Sequence, residues 1–267
     1  MGLKHVAKRF FEKNQRIYRS KAIYKLQRLR QKGNIEPDYD NCNYKDILRE
    51  IDLNGCTIIE NFIPPDIINK ILVEVEAPYL EMQAGKKNDD FWHSEGGNGR
   101  IGNIDKYSPL AKEYLFDSQM ISNLAKSYVS KSAVGFRKEA DFKYSPGESY
   151  QADIVHIDDW RRRFKAFVLL HDLERVNAPL VYYKGSHKSA HWRQDLEYSY
   201  HKDGQSGRFG HLFPQEMRKI QSEHHYESVH FEGKAGSLFL GDFRGLHSGS
   251  ILVEGKRVML NYTWGLV

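Results

Sequence analysis

Five tripeptides in the chain place a histidine two residues before an acid: His93-Ser94-Glu95, His156-Ile157-Asp158, His201-Lys202-Asp203, His225-Tyr226-Glu227 and His230-Phe231-Glu232. On a β-strand, residues two apart project from the same face, so an imidazole and a carboxylate are presented together. A second histidine from another strand completes a two-histidine, one-carboxylate set, which suits ferrous iron and leaves coordination positions open. Only His156-x-Asp158 lies in a β-like run, Ile154–Asp158, with enough chain after it for intervening strands. His201 sits in a polar stretch ending at Gly204, His93 precedes Gly96-Gly97, and His225 and His230 lie too close to the candidate distal histidine. That distal candidate is His247, which follows a turn, an apolar strand and a second turn across Ala235–Asp242.

Ten residues beyond His247, Arg257 opens an alternating run that ends at Trp264. Arg257, Asn261 and Thr263 share one face, while Val258, Leu260, Tyr262 and Trp264 share the other. An inward-facing arginine requires an anionic partner, because an unpaired buried charge is costly. Its planar fork matches a carboxylate.

The elements that would position these residues are legible in outline. Tyr44–Asp52 reads as a helix, Cys56–Ile59 as a short strand, and Asp66 as the cap of a helix burying Ile67, Ile68, Ile71, Leu72 and Val75. The Gly-rich segment Gly85–Gly102 reads as a loop and Ser108–Ser130 as a helix. Short strands are then expected at Ser132–Phe136, Asp141–Tyr144, Ile154–Asp158, Phe164–His171, Leu180–Tyr183, Ser237–Leu240 and Arg257–Trp264. Helices first and many short strands later predict an α+β protein with a β-sandwich or jelly-roll core. The polar stretch Ser189–Glu232 is long for a connection and is expected to act as a lid.

At this point the chain resembles the phytanoyl-CoA dioxygenase-like branch of the Fe(II)/2-oxoglutarate-dependent oxygenases. The resemblance rests on the order of His156-x-Asp158, His247 and Arg257. It is supported by the segment Asn177-Ala178-Pro179 to Lys184-Gly185-Ser186-His187, and by Gly236-Ser237 and Gly241-Asp242. Ala178 and Lys184 stand where the family usually has Gly and Pro. The resemblance implies a double-stranded β-helix of the cupin type, with N-terminal helices flanking it. It implies iron held by His156, Asp158 and His247, and 2-oxoglutarate paired through its distal carboxylate with Arg257. Lys143 is the candidate for a second cosubstrate contact, and Asn261 and Thr263 extend the same wall. The activity implied is oxygen-dependent hydroxylation of a small-molecule, glycan or lipid-linked substrate, releasing succinate and CO2. Trp160, Arg161, His187 and Arg193 are the candidates for substrate contact, Arg161 as a grip for a phosphate or carboxylate. A non-catalytic jelly-roll binding module is the alternative, and the complete set of four residues speaks against it.

Charge separates the chain into unlike parts. Of 267 residues, 40 are Lys or Arg and 35 Asp or Glu, a net of +5. Residues 1–33 hold 11 of the basic residues and one acid, a net of +10, which leaves 29 basic and 34 acidic residues and a net of −5. Leu3, Val6, Phe10, Ile17 and Tyr24 give that arm one apolar face. The reading is a basic amphipathic helix over 1–33, a linker over 34–43 and an oxygenase domain over 44–267. Such a helix suits an anionic membrane surface, or a partner with an acidic groove. No recognition motif follows the basic run, so specific nucleic-acid binding is not expected. Two cysteines make no disulfide framework, and no apolar segment has the length of a membrane span or signal core. The expected location is the cytoplasm, peripheral at the membrane surface if the arm docks there.

Overall fold

The computed structural model describes residues 37–93, 95–145, 154–159, 161–188, 192–193 and 210–266. The chain divides into two compact units, Met1–Ile35 with Ala190–Phe209, and Glu36–Ser189 with Gly210–Val267. The basic arm, residues 34–36 of the expected linker and Trp160 lie outside the described residues. In the first unit Trp192 and Arg193 are described, and the Arg193 guanidinium lies 5.1 Å from the Trp192 ring centre.

The second unit opens with α1 (Lys45–Asn54), β1 (Cys56–Ile59) and α2 (Pro65–Gln83), followed by β2 (Phe91–His93) and β3 (Gly99–Gly102). Helix α3 (Gln119–Tyr128) leads into β4 (Val134–Lys143), β5 (Phe164–Leu169) and β6 (Val181–Tyr183). Then come α4 (Pro214–His224), β7 (Ser228–His230), β8 (Leu238–Asp242), β9 (His247–Ser248) and β10 (Arg257–Gly265). Among the described residues the strands form a large antiparallel sheet in the order β1-β8-β5-β10-β4-β3-β2 and a smaller one in the order β7-β6-β9. Apolar residues of both sheets meet in one cluster: Phe167, Phe239 and Met259 from the large sheet, Tyr182 from the small one. This is the double-stranded β-helix expected from the sequence.

Alternation along β10 divides the core. Val258, Leu260, Tyr262 and Trp264 join the main cluster with Leu48 and Ile51 of α1, Ile68, Ile71 and Val75 of α2, and Ile121, Leu124 and Tyr128 of α3. Each such fully buried aliphatic or aromatic side chain contributes about 1.5–3 kcal/mol. Arg257, Asn261 and Thr263 share the opposite face, as predicted, and Met259 on that face packs between the sheets.

Several expectations are corrected. Gly85–Gly102 is not a loop throughout, because Phe91–His93 pairs with Gly99–Gly102, which in turn pairs with β4. Gly99 and Gly102 lack a Cβ where one would strike Met82 and the Trp92 ring, so these glycines admit neighbours rather than break a strand. The helix expected over Ser108–Ser130 is interrupted. A wide turn at Lys112–Phe116 closes with Asp117 N–H donating to Lys112 O, and Ser118 then caps α3 by accepting from Ile121 N–H. Asp66 lies in the first turn of α2, and the N-cap is Pro64. The two strands expected over Ser132–Phe136 and Asp141–Tyr144 are one, since the buried Glu139 carboxylate between them is approached by the exposed Arg137 side chain. Ile154–Asp158 is bound to its neighbours through a bridge at His156. Within the expected lid, α4 and β7 are regular elements.

Candidate active site

His156 and His247 are a hydrogen-bonded antiparallel pair. The N–H of His156 donates to His247 O at 2.8 Å, and the N–H of His247 donates to His156 O at 3.0 Å. On its other side the segment is held by Ile157 N–H to Gly210 O and Leu212 N–H to Val155 O. Asp158 N–H donates to Phe243 O at 3.0 Å. Each ring is oriented by a backbone carbonyl: Nδ1 of His156 lies 2.7 Å from Ile154 O, and Nδ1 of His247 lies 2.9 Å from Gly245 O. A carbonyl only accepts, so both Nδ1 atoms carry the proton and both Nε2 lone pairs are left for a ligand, the usual outer support of a metal-binding histidine.

The two Nε2 atoms converge on one oxygen. Asp158 Oδ1 lies 3.7 Å from His156 Nε2 and 3.4 Å from His247 Nε2. The three ligand atoms fall within 4.8 Å of one another. Burial and then the neighbouring His247 push His156 down to about 3, so its imidazole is neutral, as a ligand must be. Burial opposes ionisation of Asp158, but Lys165 foremost, then His247, overcomes it and holds the carboxyl well below the usual range. Two imidazoles with their Nε2 atoms turned to one carboxylate fit iron(II).

The loop that delivers His247 is anchored beneath the site. Asp242 is fully buried, and its Oδ2 accepts from Tyr128 OH at 2.7 Å, Arg244 Nε at 2.8 Å and the Arg244 terminal nitrogen at 2.5 Å. Its Oδ1 accepts from Arg244 N–H at 3.0 Å. Tyr182 OH donates to Asp242 O, and Leu246 N–H donates to Ser186 Oγ. Gly245 is required here because a Cβ would lie 2.0 Å from Tyr182 Oη.

Arg257 and Lys143 are direct cross-strand partners on β10 and β4, so both cations lie on the inner face. Arg257 donates to Ala178 O at 2.6 Å and Lys143 to Ser250 O at 2.9 Å. Ala178, where the family usually has Gly, has φ +60° and so keeps the left-handed turn that presents this carbonyl. His171 fixes the start of β10: its Nε2 accepts from Val258 N–H at 3.0 Å while Nδ1 donates to Asp172 O. Farther along, Asn261 donates to Glu139 at 3.2 Å, and Arg100 lies 3.7 Å from Glu139 and 2.5 Å from Asp141. Thr263 pairs across strands with Arg137 and Lys165.

The remaining candidates are placed elsewhere or engaged. Arg161 bonds the Asp159 carboxylate, which Arg163 also engages. His187 is buried beside Gly55, its Nε2 3.1 Å from Asp52 O at the end of α1. Arg193 belongs to the first unit. Two residues at the site were missed in the sequence. His211 stacks on His156, with ring centres 5.1 Å apart, and lay hidden in the long polar connection. Lys165 reaches Asp158, and its signal was available: a lone cation at an inward position of the apolar run Phe164–Leu169.

Residues 51–251 match the family model described as Phytanoyl-CoA dioxygenase (PhyH). The chain belongs to this family, and it is an enzyme of the Fe(II)/2-oxoglutarate-dependent oxygenase class. No curated protein sequence matches the chain. Solved structures share the fold at low identity. EctD from S. alaskensis with 2-oxoglutarate and 5-hydroxyectoine is 16% identical with a TM-score of 0.61, covering 87% of this chain and 82% of that one. AviO1 from Streptomyces viridochromogenes Tue57 is 17% identical at 0.59, covering 83% and 94%. The carbocyclase SnoK from nogalamycin biosynthesis is 13% identical at 0.57, covering 85% of each. The matched family span contains His156, Asp158 and His247 and ends before Arg257.

Proposed function

We propose that this enzyme hydroxylates a small polar or glycan-like substrate, with 2-oxoglutarate bound between the metal centre and the Arg257–Lys143 pair. The observation that carries the reading is the convergence of His156, Asp158 and His247 on one point, alongside two cross-strand cations on the inner face of β10 and β4. Asp158 fills the carboxylate position, so no place is vacated there for a halide. Iron held by His156, Asp158 and His247 with 2-oxoglutarate bound would supply the oxidising chemistry, one oxygen atom of O2 going to a substrate C–H and the other to the succinate left after loss of CO2. The protein's own part is to hold two imidazoles and one carboxylate at the metal and to grip an anion with Arg257 and Lys143. The polar wall of Arg100, Glu139, Asp141 and Asn261 supports a substrate with hydrogen-bonding groups. Trp160 and Arg161, two and three residues after Asp158 in the chain, are proposed to contact it.

Anaerobic addition of Fe(II) and 2-oxoglutarate is expected to give a weak visible charge-transfer band, lost in His156→Ala. Under labelled O2, product carrying one labelled oxygen with matching succinate supports hydroxylation. A product that forms with succinate but without added oxygen refutes hydroxylation in favour of another transformation, as in the epimerase SnoN and the carbocyclase SnoK.

The concentration of charge in residues 1–33 supports docking of the arm on anionic membranes. Among the described residues no helix is long and apolar enough to cross a membrane. Vesicle sedimentation tests the proposal: equal binding by the full chain and by a chain starting at Tyr44 overturns it.

A further inference from the structure

The two oxygens of Asp158 face different partners. Oδ1 points to both histidine Nε2 atoms, at 3.7 and 3.4 Å. Oδ2 is 2.5 Å from the ammonium of Lys165, an ion pair approached outside hydrogen-bond angles. The Lys165 side chain is 11% exposed and is held in place from several sides. Its ammonium lies 4.8 Å from the Phe243 ring centre and 5.9 Å from that of Phe167. Across the strands stand Gly241, which has no side chain to compete for the space, and Thr263. Phe243 also packs edge-on against His247, with ring centres 4.5 Å apart, so one aromatic side chain fixes both the cation and a metal ligand.

We propose that Lys165 is a positioning residue that claims one oxygen of Asp158, so that this ligand offers the iron a single oxygen. The inference rests on the iron-site reading and deepens it. A carboxylate can bind a metal through one oxygen or two. Bound through two, Asp158 would occupy a position that the cosubstrate or oxygen needs, since the facial set works by leaving positions open. An ammonium against Oδ2 makes that second attachment unfavourable. Lys165 touches neither cosubstrate nor reacting atoms in this scheme. It acts through Asp158, as outer partners of metal ligands do.

The test compares wild type, K165M and K165R as full-length chains, anaerobically, with Fe(II) and then 2-oxoglutarate as probes. K165M is expected to retain Fe(II) but to bind 2-oxoglutarate at least about 10-fold more weakly, because a second Asp158 oxygen then competes for its position, with a displaced visible band. K165R keeps the charge and is expected to restore both affinity and band position toward wild type. Thermal melting shows whether each chain is folded, and K165Q, equally neutral, replaces K165M if the latter does not fold. A folded neutral variant with wild-type 2-oxoglutarate affinity and band overturns the proposal. So does one that loses Fe(II) itself, because Lys165 would then support the ligand as a whole. A wild-type chain with no band at all overturns the iron-site reading and this inference together.

Discussion

Replacement of Asp242 by Asn tests how firmly the loop bearing His247 is anchored. Three donors converge on Asp242 Oδ2, from Tyr128 OH and two nitrogens of Arg244, and a fourth reaches Oδ1. In either amide orientation, the NH2 of Asn meets a donor rather than an acceptor, and the buried Arg244 charge loses its counterion. Breaking a buried pair in this way costs about 3–5 kcal/mol. At about 2–4 °C per kcal/mol for a domain of this size, the melting temperature should fall by about 6–20 °C. Tyr128→Phe removes one donor and leaves the ion pair, a loss of about 1.5 kcal/mol, or about 3–6 °C. The pH dependence has a definite sign. Burial opposes ionisation of Asp242, but Arg244 outweighs it and holds the folded carboxyl far below 3.8. Its stabilisation is therefore complete above the unfolded value and is lost as pH falls below it. Differential scanning calorimetry of wild type and Asp242→Asn between pH 7 and pH 3 checks both points. The gap in melting temperature should be large at neutral pH and narrow in acid. A gap under about 2 °C at pH 7, or one that does not change with pH, refutes the reasoning.

Other outcomes follow from the same geometry. Arg257→Gln should weaken 2-oxoglutarate by about 10- to 150-fold, the loss of a charged hydrogen bond worth about 1.5–3 kcal/mol, while leaving Fe(II) binding unchanged in an anaerobic titration. Burial holds His171 below its ordinary 6.5, so the folded state resists a proton that the unfolded state accepts. Stability should fall as pH drops through 6.5, and urea unfolding at pH 7.5 and 5.5 should show a smaller drop for His171→Leu. Gly236→Ala combines φ +86° with a Cβ 2.1 Å from Ile63 O. The backbone strain alone is about 1–2 kcal/mol, so the melting temperature should fall by at least about 2–4 °C.

The period-two pattern made the candidate metal set and the inward face of β10 legible. His156 and Asp158 are separated by one residue, and Arg257, Asn261 and Thr263 alternate with a face that packs on helices. What escaped the sequence has physical causes. Glu139 reads as a break between strands because an inward charge is expensive, yet Asn261 and Arg100 pair it from neighbouring strands. Glycines at 99 and 102 looked like loop signals because the large groups that need their missing side chains, Met82 and Trp92, come from other elements. Lys165 was visible as a cation in an apolar run, but only the fold brings it to Asp158. Burial hides the same information from composition: Cys42 and Cys56 are both free and buried, and nothing in their spacing says so.

The paired hydrogen bonds between the backbones of His156 and His247 have a consequence for how the centre is loaded. They set the separation of the two imidazoles from the main chain, and the carbonyls of Ile154 and Gly245 set the tilt of the rings. The chain thus settles the arrangement while folding, before any ion arrives, so little freedom is left to lose on uptake. Chelation should strip the centre without unravelling the sheets, and a divalent ion of similar size, such as Co(II) or Ni(II), should enter the emptied set as a local substitution.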